Sequence, residues 1–124
     1  MEAVIKLARQ SFLEVDPQSP RYRFIAREGS WHGSTTATLA IGEFKIRQYP
    51  FEPLLANNVS RVSACHPYRG MMDGETTEQY VTRLAQELED EFHRFSLETV
   101  CGFIVEPIVG TVSPNPGFQT PTFH

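Results

Sequence analysis

Long apolar runs, an excess of positive charge and a targeting signal are all missing from this chain. Its 124 residues carry a formal net charge of −4, so no basic surface for nucleic acid or for an anionic membrane is expected. No apolar run approaches the length that spans a bilayer. The first residues have neither the basic start nor the apolar core of a secretory signal. These absences predict a cytoplasmic protein without a nucleic-acid or membrane partner.

Cysteine and lysine are also scarce. Cys65 and Cys101 are far apart in the sequence and form no metal-type cluster. Each lies in an apolar, strand-like run, where a thiol usually behaves as a small buried hydrophobic group. We therefore predict two buried cysteines rather than a disulfide or a nucleophile. Lys6 and Lys45 are the only lysines.

The composition is otherwise that of one globular domain. Hydrophobic residues make up 40% of the chain and charged residues 21%, as is typical of such domains. The spacing of apolar residues predicts helices over 2–15 and 77–95, and strand-like runs occupy 22–27, 59–65 and 99–105. Helices and strands therefore alternate, which predicts an α/β fold.

The helix over 77–95 is the clearest of these elements. Thr76 and Gln79 have the spacing of a capping box, and an apolar stripe follows them. Four acidic residues near its end are expected to form a solvated face rather than an ion site: Glu87, Glu89, Asp90 and Glu91. The nearly uninterrupted apolar run of 99–105 is typical of a parallel strand covered on both faces.

The most unusual residues are concentrated in one stretch, 28–36. Two glycines bracket Trp31, the only tryptophan, and His32, between a predicted strand and a predicted helix. A helix beginning at Ser34 would direct free N–H groups toward the turn, and a flat indole there could lie against a planar ring. Alternatively, Trp31 caps the core and Ser34 is an ordinary N-cap. The residues alone leave both interpretations open.

Further polar residues follow two of the predicted strands. His66, Tyr68 and Arg69 come after the second strand, and Glu106 comes directly after the third. Open α/β sheets bind ligands beyond the carboxyl ends of their strands. These residues therefore either line a ligand cleft or belong to a surface loop and a solvated strand end.

Three segments, in order, resemble class III aminotransferases, the pyridoxal-phosphate enzymes of fold type I. Residues 2–10 are similar to the helix after the phosphate-binding turn of that family. Residues 24–33 are similar to its aromatic-His-Gly segment, and residues 103–110 are similar to its Glu-Pro strand end. The resemblance implies a partial three-layer sandwich from the large domain of a fold type I transferase. It implies an incomplete large domain over 1–118 and a divergent tail over 119–124.

The resemblance also implies roles for four residues in binding pyridoxal 5'-phosphate. Trp31 matches the aromatic residue that stacks on the pyridine ring, where the family most often has Tyr or Phe. His32 and Gly33 match the next two positions. Glu106 matches an acidic residue that orders hydrogen bonds near the cofactor. The implied substrates are a small-molecule amino donor and a keto acid, and the implied parent is a homodimer.

The departures from the family pattern concern catalysis. Transamination needs a Schiff-base lysine and an acidic partner for the pyridine nitrogen. Neither Lys6 nor Lys45 matches the catalytic lysine, and the acidic partner and the Gly/Ser-rich phosphate-binding turn have no counterpart here. We therefore expect a fragment of an aminotransferase that is inactive as an isolated chain, with no catalytic residue of its own.

Two other functions remain as alternatives. The first is a non-catalytic interaction module that pairs with a full-length homologue. The second is a small metal-dependent enzyme that uses His32, His66 and Glu106, although the spacing of these residues gives it no support.

Overall fold

The structure, a computed structural model, describes residues 1–106. Its elements in chain order are α1 (Glu2–Val15), β1 (Arg23–Arg27), α2 (Thr36–Ile41), α3 (Lys45–Gln48), a 3-10 helix (Tyr49–Leu54), β2 (Val59–Val62), α4 (Pro67–Gly70), α5 (Thr77–Arg94), a second 3-10 helix (Leu97–Thr99) and β3 (Val100–Ile104). The predicted positions of α1, β1 and α5 are confirmed to within a residue or two.

The three strands form one parallel sheet in the order β2-β1-β3. β1 is central, and its residues Phe24, Ile25 and Ala26 are buried. A central strand of a parallel sheet is covered on both faces, so consecutive residues can all be apolar. Full burial of a side chain such as Ile25 contributes about 1.5–3 kcal/mol.

Helices cover both faces of this sheet. On one face α1 and α2 pack against Phe24 and Ala26. On the other face α5 packs against Ile25 through Leu88 and Phe92. The result is three layers, helix, sheet and helix, and the predicted α/β fold is confirmed.

Helix α5 begins with the predicted capping box. The Gln79 N–H donates to the Thr76 hydroxyl, and the Gln79 side chain accepts from the Thr76 N–H at 2.9 Å. The predicted solvated face is only partly correct. Glu89 and Asp90 are exposed, but Glu87 accepts hydrogen bonds from Ser63 of the segment after β2. Acidic residues on this helix therefore fasten it to the sheet.

Several predicted boundaries are wrong. β2 ends at Val62 instead of residue 65, because the next N–H, that of Ser63, donates to the Glu87 carboxylate rather than to a strand. α2 begins at Thr36 with Thr35 as its N-cap, so Ser34 is not the cap. The segment after His66 contains a helical turn, α4, which begins at a proline, a residue favoured at the first helical position.

The described residues bear on two further points. Within residues 1–106, no helix combines the length and the apolar character needed to cross a bilayer. The predicted boundary at residues 118–119 and the last part of the 103–110 segment lie outside the described residues.

Candidate functional site

A hollow with a volume of about 810 Å³ lies at the carboxyl edge of the sheet. Three segments line the hollow: residues 27–30 at the end of β1, residues 63–70 after β2, and Glu106 after β3. β1 leads to α2 on one face of the sheet and β2 leads to α5 on the other, so their loops diverge above the strands. Open α/β sheets bind ligands in such a crevice, and small-molecule sites typically have volumes of roughly 300–1,000 Å³.

Side-chain hydrogen bonds fix the turn after β1. Gly29 has a positive φ of 63°, and its N–H donates to the Glu43 carboxylate at 3.1 Å. The Ser30 hydroxyl donates to the Arg27 carbonyl at 2.7 Å. Burial alone would raise the pKa of Glu43, but hydrogen bonds from Lys45 and from the Gly29 N–H lower it below its usual value. Glu43 is therefore ionised and holds the turn in place.

Trp31 and Glu106 are in direct contact. The backbone N–H of Trp31 donates to the Glu106 carboxylate at 2.9 Å, although the two residues are 75 positions apart. The Phe44 ring meets the indole edge-on, with centroids 6.0 Å apart, and the Arg47 guanidinium lies over the indole at 4.9 Å. The two ring contacts orient the indole, and the bond to Glu106 fixes the Trp31 backbone.

His32 is a buried, neutral histidine. Its exposed fraction is 7%, and its Nε2 atom has no hydrogen-bond partner among the described residues. Burial lowers the pKa of His32, and the Glu106 carboxylate acts in the opposite direction without reversing the shift. An unpaired buried nitrogen is costly, and such an atom in a native protein is often reserved for a ligand or a water.

Gly33 occupies a position that only glycine fits. Its φ is +132°, and an added Cβ would lie 2.7 Å from the Thr38 hydroxyl oxygen. That hydroxyl forms hydrogen bonds with Thr35 at the start of α2. Gly33 therefore allows the chain to turn between His32 and the start of α2 at Thr36.

The four residues predicted from the sequence to bind the cofactor fall into two groups, which are in contact. Among the described residues, the lining of the hollow includes Glu106 but not Trp31, His32 or Gly33. Glu106 connects the two groups, because it lines the hollow and accepts the Trp31 N–H. The cofactor-binding roles of the four residues stay predictions.

Two residues of α5 hold the segment after β2, which lines the hollow, and local sequence patterns did not indicate this role. The hydroxyl of Tyr80 accepts from the His66 N–H at 2.9 Å and donates to the Ala64 carbonyl at 3.3 Å. Glu87 accepts from the N–H and the hydroxyl of Ser63 at 3.0 and 2.9 Å. Tyr80 could have been identified from the sequence because it carries a hydroxyl on the apolar side of α5, and a buried Tyr hydroxyl usually has a hydrogen-bond partner.

The segment after β2 lines a cleft. His66, Tyr68 and Arg69 all line the hollow, which supports the first of the two interpretations that the sequence left open. The predicted burial of Cys65 is wrong: it is exposed and lines the hollow, because the strand ends before it. Cys101 is partly buried, and both thiols are free.

Two kinds of catalytic group are not found in the described part of this site. Neither lysine lines the hollow: Lys45 pairs with Glu43 at 2.9 Å, and Lys6 lies on α1. Within residues 1–106, no group of three or more His, Cys, Asp or Glu residues is arranged to hold a metal ion. The metal-dependent alternative therefore has no structural support.

A parallel sheet with helices on both faces and a hollow at its carboxyl edge belongs to the open α/β class, whose members bind ligands at this edge. Comparison with known proteins narrows this class. The family model described as "Aminotransferase class-III" matches residues 1–120. The chain belongs to the class III aminotransferases, a family that depends on pyridoxal phosphate.

Relatives agree with this assignment. An aminotransferase of Gibberella zeae is 50% identical over 112 residues, which cover 89% of this chain and 22% of the relative. An aminotransferase of Schizosaccharomyces pombe is 38% identical over 122 residues, covering 95% and 26%. The structure of an omega transaminase from Pseudomonas jessenii in complex with PMP superposes with a TM-score of 0.79 at 29% identity, covering 88% and 24%. The chain thus spans about a quarter of the length of these three relatives.

Proposed function

We propose that this chain forms part of the cofactor- and substrate-binding region of an aminotransferase that moves an amino group between an amine or amino acid and a keto acid. One observation carries the proposal: the Trp31 N–H donates to Glu106 at the edge of the hollow. This contact joins the predicted stacking residue to the predicted acidic residue. A homodimeric parent protein is part of the same proposal, since the site residues were assigned by resemblance to that family.

The residues present fit non-covalent binding of pyridoxal 5'-phosphate. The hollow is large enough for a small aromatic ligand, and Glu106 in its lining accepts the backbone N–H of Trp31. The buried Nε2 atom of His32, which has no partner among the described residues, is an orphaned polar group of the kind that a ligand satisfies. The residues do not fit covalent attachment, because no lysine lines the described part of the hollow.

Each residue has a positioning task in this proposal. Trp31 presents an indole face to the pyridine ring, and Arg47 and Phe44 keep the indole from rotating. Glu106 holds the Trp31 backbone through one carboxylate oxygen. His32 is neutral, so its Nε2 is able to accept a hydrogen bond or to donate one. When bound, pyridoxal phosphate supplies the electron sink for amino-group transfer.

We expect the isolated chain to bind the cofactor without turning over substrates. Transamination requires a lysine at the cofactor, and the chain has only Lys6 and Lys45, which lie away from the hollow. The test is to add pyridoxal 5'-phosphate to the purified chain with an amino donor and a keto acid. Cofactor binding is measured through the fluorescence of Trp31, and amino-group transfer through the product amino acid.

Matched variants make the test specific. Trp31→Phe retains an aromatic face and is expected to keep most of the affinity measured by calorimetry, whereas Trp31→Ala is expected to lose it. Tyr49, which is 80% exposed, provides a control: Tyr49→Ala should leave cofactor affinity unchanged. Robust amino-group transfer by the chain alone, or equal affinity in Trp31→Ala, would contradict the proposal.

A second candidate function is a module that docks on a longer member of the family. One observation favours it: Ile46, Tyr49 and Leu54 are 59%, 80% and 68% exposed on neighbouring short helices. Exposed apolar residues in one segment often mark an interface. Co-purification with a longer family member at a defined stoichiometry, lost in Tyr49→Asp, would support this function.

A further inference from the structure

Two arginines that line the hollow differ from most other arginines of the chain in the hydrogen bonding of their guanidinium groups. Arg27 stands at the end of β1 and Arg69 in α4, so they reach the hollow from two different walls. Six other arginines donate side-chain hydrogen bonds: Arg9, Arg21, Arg23, Arg61, Arg83 and Arg94. Within residues 1–106, the guanidinium groups of Arg27 and Arg69 take part in no hydrogen bond or ion pair.

The Arg27 guanidinium is held in place by an aromatic ring. Its central carbon lies 5.8 Å from the centroid of the Phe103 ring on β3, and the residue is half-buried. A half-buried arginine has lost part of its hydration, and a ring next to the guanidinium accepts none of its N–H groups in an ordinary hydrogen bond. Such a group is satisfied by an oxyanion, which it binds through two parallel hydrogen bonds.

The carboxylates of the hollow do not neutralise these charges directly. Glu28 and Glu106 also line the hollow, but no ion pair within 4.0 Å joins either of them to Arg27 or Arg69 among the described residues. One oxygen of Glu106 accepts the Trp31 N–H instead. Two arginines whose guanidinium groups have no ionic partner among the described residues therefore line the hollow.

We propose that Arg27 and Arg69 form an oxyanion-binding subsite for the ligand of this hollow. The ligand chemistry is a carboxylate or a phosphate monoester. A keto or amino acid would supply the first, and the cofactor phosphate the second. The inference rests on the proposed function only in treating the hollow as the ligand site, because both arginines line the hollow and Trp31 does not.

The test measures binding of four probes to the full chain by calorimetry at constant ionic strength: inorganic phosphate, pyruvate, pyridoxal 5'-phosphate and pyridoxal. Arg27→Gln and Arg69→Gln are each expected to raise the dissociation constant of the bound oxyanion roughly tenfold or more, as for a lost charged hydrogen bond. Arg69 is exposed, so its replacement tests the subsite without disturbing the core.

Two further variants separate charge from geometry. Lys6→Gln removes one positive charge on α1, away from the hollow, and is expected to leave all four affinities unchanged. Arg27→Lys keeps the charge but loses the two-pronged geometry, so its affinity should lie between those of the unmodified chain and Arg27→Gln. Circular dichroism of each variant shows whether it is folded.

The probes distinguish the two sources of the anion. Weaker binding of phosphate and pyridoxal 5'-phosphate, with pyruvate unaffected, assigns the subsite to the cofactor phosphate. Weaker binding of pyruvate alone assigns it to the substrate carboxylate. The proposal is overturned if the folded, unmodified chain binds neither anion, or if both arginine variants bind the anions as well as Lys6→Gln does.

Failure of the proposed function gives a different result. If Trp31→Ala binds pyridoxal and pyridoxal 5'-phosphate as tightly as the unmodified chain, the stacking role fails. In that case, a loss of anion binding in the arginine variants would still support the oxyanion subsite. Conversely, a Trp31-dependent affinity for pyridoxal with no arginine effect refutes only the oxyanion subsite.

Discussion

Single residues around Trp31 combine local strain with buried polarity. Gly33 has a φ that other residues rarely adopt, His32 is buried with an unpaired nitrogen, and Glu106 binds the Trp31 backbone. Strained or unsatisfied groups cost free energy, and they persist where the surrounding structure holds them in place. Glu106 also lines the hollow, and this link supports the proposal that the hollow is the ligand site.

The conformation of Gly33 leads to a stability prediction. Gly33→Ala is expected to destabilise the protein by about 1–3 kcal/mol, because the new Cβ would lie against the Thr38 hydroxyl at a positive φ. Urea unfolding measures the change. Gly102→Ala is the matched control: nothing lies within 4 Å of its Cβ position, so its effect should stay within about 0.5 kcal/mol. Equal stabilities of the two variants would contradict the prediction.

His32 should make the stability dependent on pH. Burial lowers its pKa in the folded state, so below the unfolded value near 6.5 the unfolded chain binds a proton that the folded chain does not. Stability is therefore full above that value and is lost as pH falls toward the lower folded pKa, with a slope of at most about 1.4 kcal/mol per pH unit.

The measurement for His32 is urea unfolding between neutral and mildly acidic pH. His32→Gln, which does not titrate, should show a smaller loss of stability over this interval than the unmodified chain. His93 is exposed on α5, and His93→Gln is expected to keep the original slope. An unchanged slope in His32→Gln would show that this histidine is not the group responsible.

At the scale of elements, α5 organises one side of the site. It packs on the sheet through Leu88 and Phe92, and it holds the segment after β2 through Tyr80 and Glu87. An added Cβ at Gly70 would lie 2.6 Å from the Tyr80 hydroxyl, so α4 fits closely against that side chain. One helix therefore sets the position of the wall that carries Arg69.

The Tyr80 hydroxyl is expected to contribute measurably to this arrangement. Tyr80→Phe keeps the ring but leaves the His66 N–H without its partner, which should cost about 1–3 kcal/mol in urea unfolding. Amide exchange at His66 should accelerate in the variant. Tyr68→Phe removes a hydroxyl from a side chain that is 85% exposed, and this control should change stability by less than about 0.5 kcal/mol. Comparable losses in both variants would refute the role of Tyr80.

At the scale of the whole molecule, the described sheet has two outer strands. β2 and β3 each pair only with β1 within residues 1–106, and the described residues of β3 after Val100 are only partly buried. Unpaired strand edges and exposed apolar surface promote association. The chain spans about a quarter of the relatives it matches, so we expect these surfaces to affect how the isolated chain behaves.

The isolated chain is therefore expected to bind a hydrophobic dye and to associate with increasing concentration. Sedimentation velocity over a concentration series and dye fluorescence measure the two effects. Leu54→Lys and Tyr49→Lys, at exposed apolar positions, should reduce both effects without lowering the unfolding midpoint. A single monomeric boundary at all concentrations, with no dye fluorescence, would contradict this expectation.

Residence in the cytoplasm stays a prediction that localisation of the tagged protein would test.

Much of the fold can be predicted from local patterns in the sequence. α1 and α5 follow from apolar residues at three- and four-residue steps and, for α5, from the capping box of Thr76 and Gln79. The core of each strand follows from its apolar and β-branched residues. These features depend on neighbours a few positions apart, so they can be recognised in the sequence without the structure.

The candidate site depends on contacts between distant parts of the chain. Pairing of β1 with β3 brings Trp31 to Glu106 across 75 positions, and α5 reaches back to Ser63 and His66. Local patterns therefore could not reveal that Cys65 is exposed, that Glu87 binds a loop, or that Arg27 and Arg69 share one hollow. Strand order and helix packing create these proximities, because they join segments that have no short-range relation in the sequence.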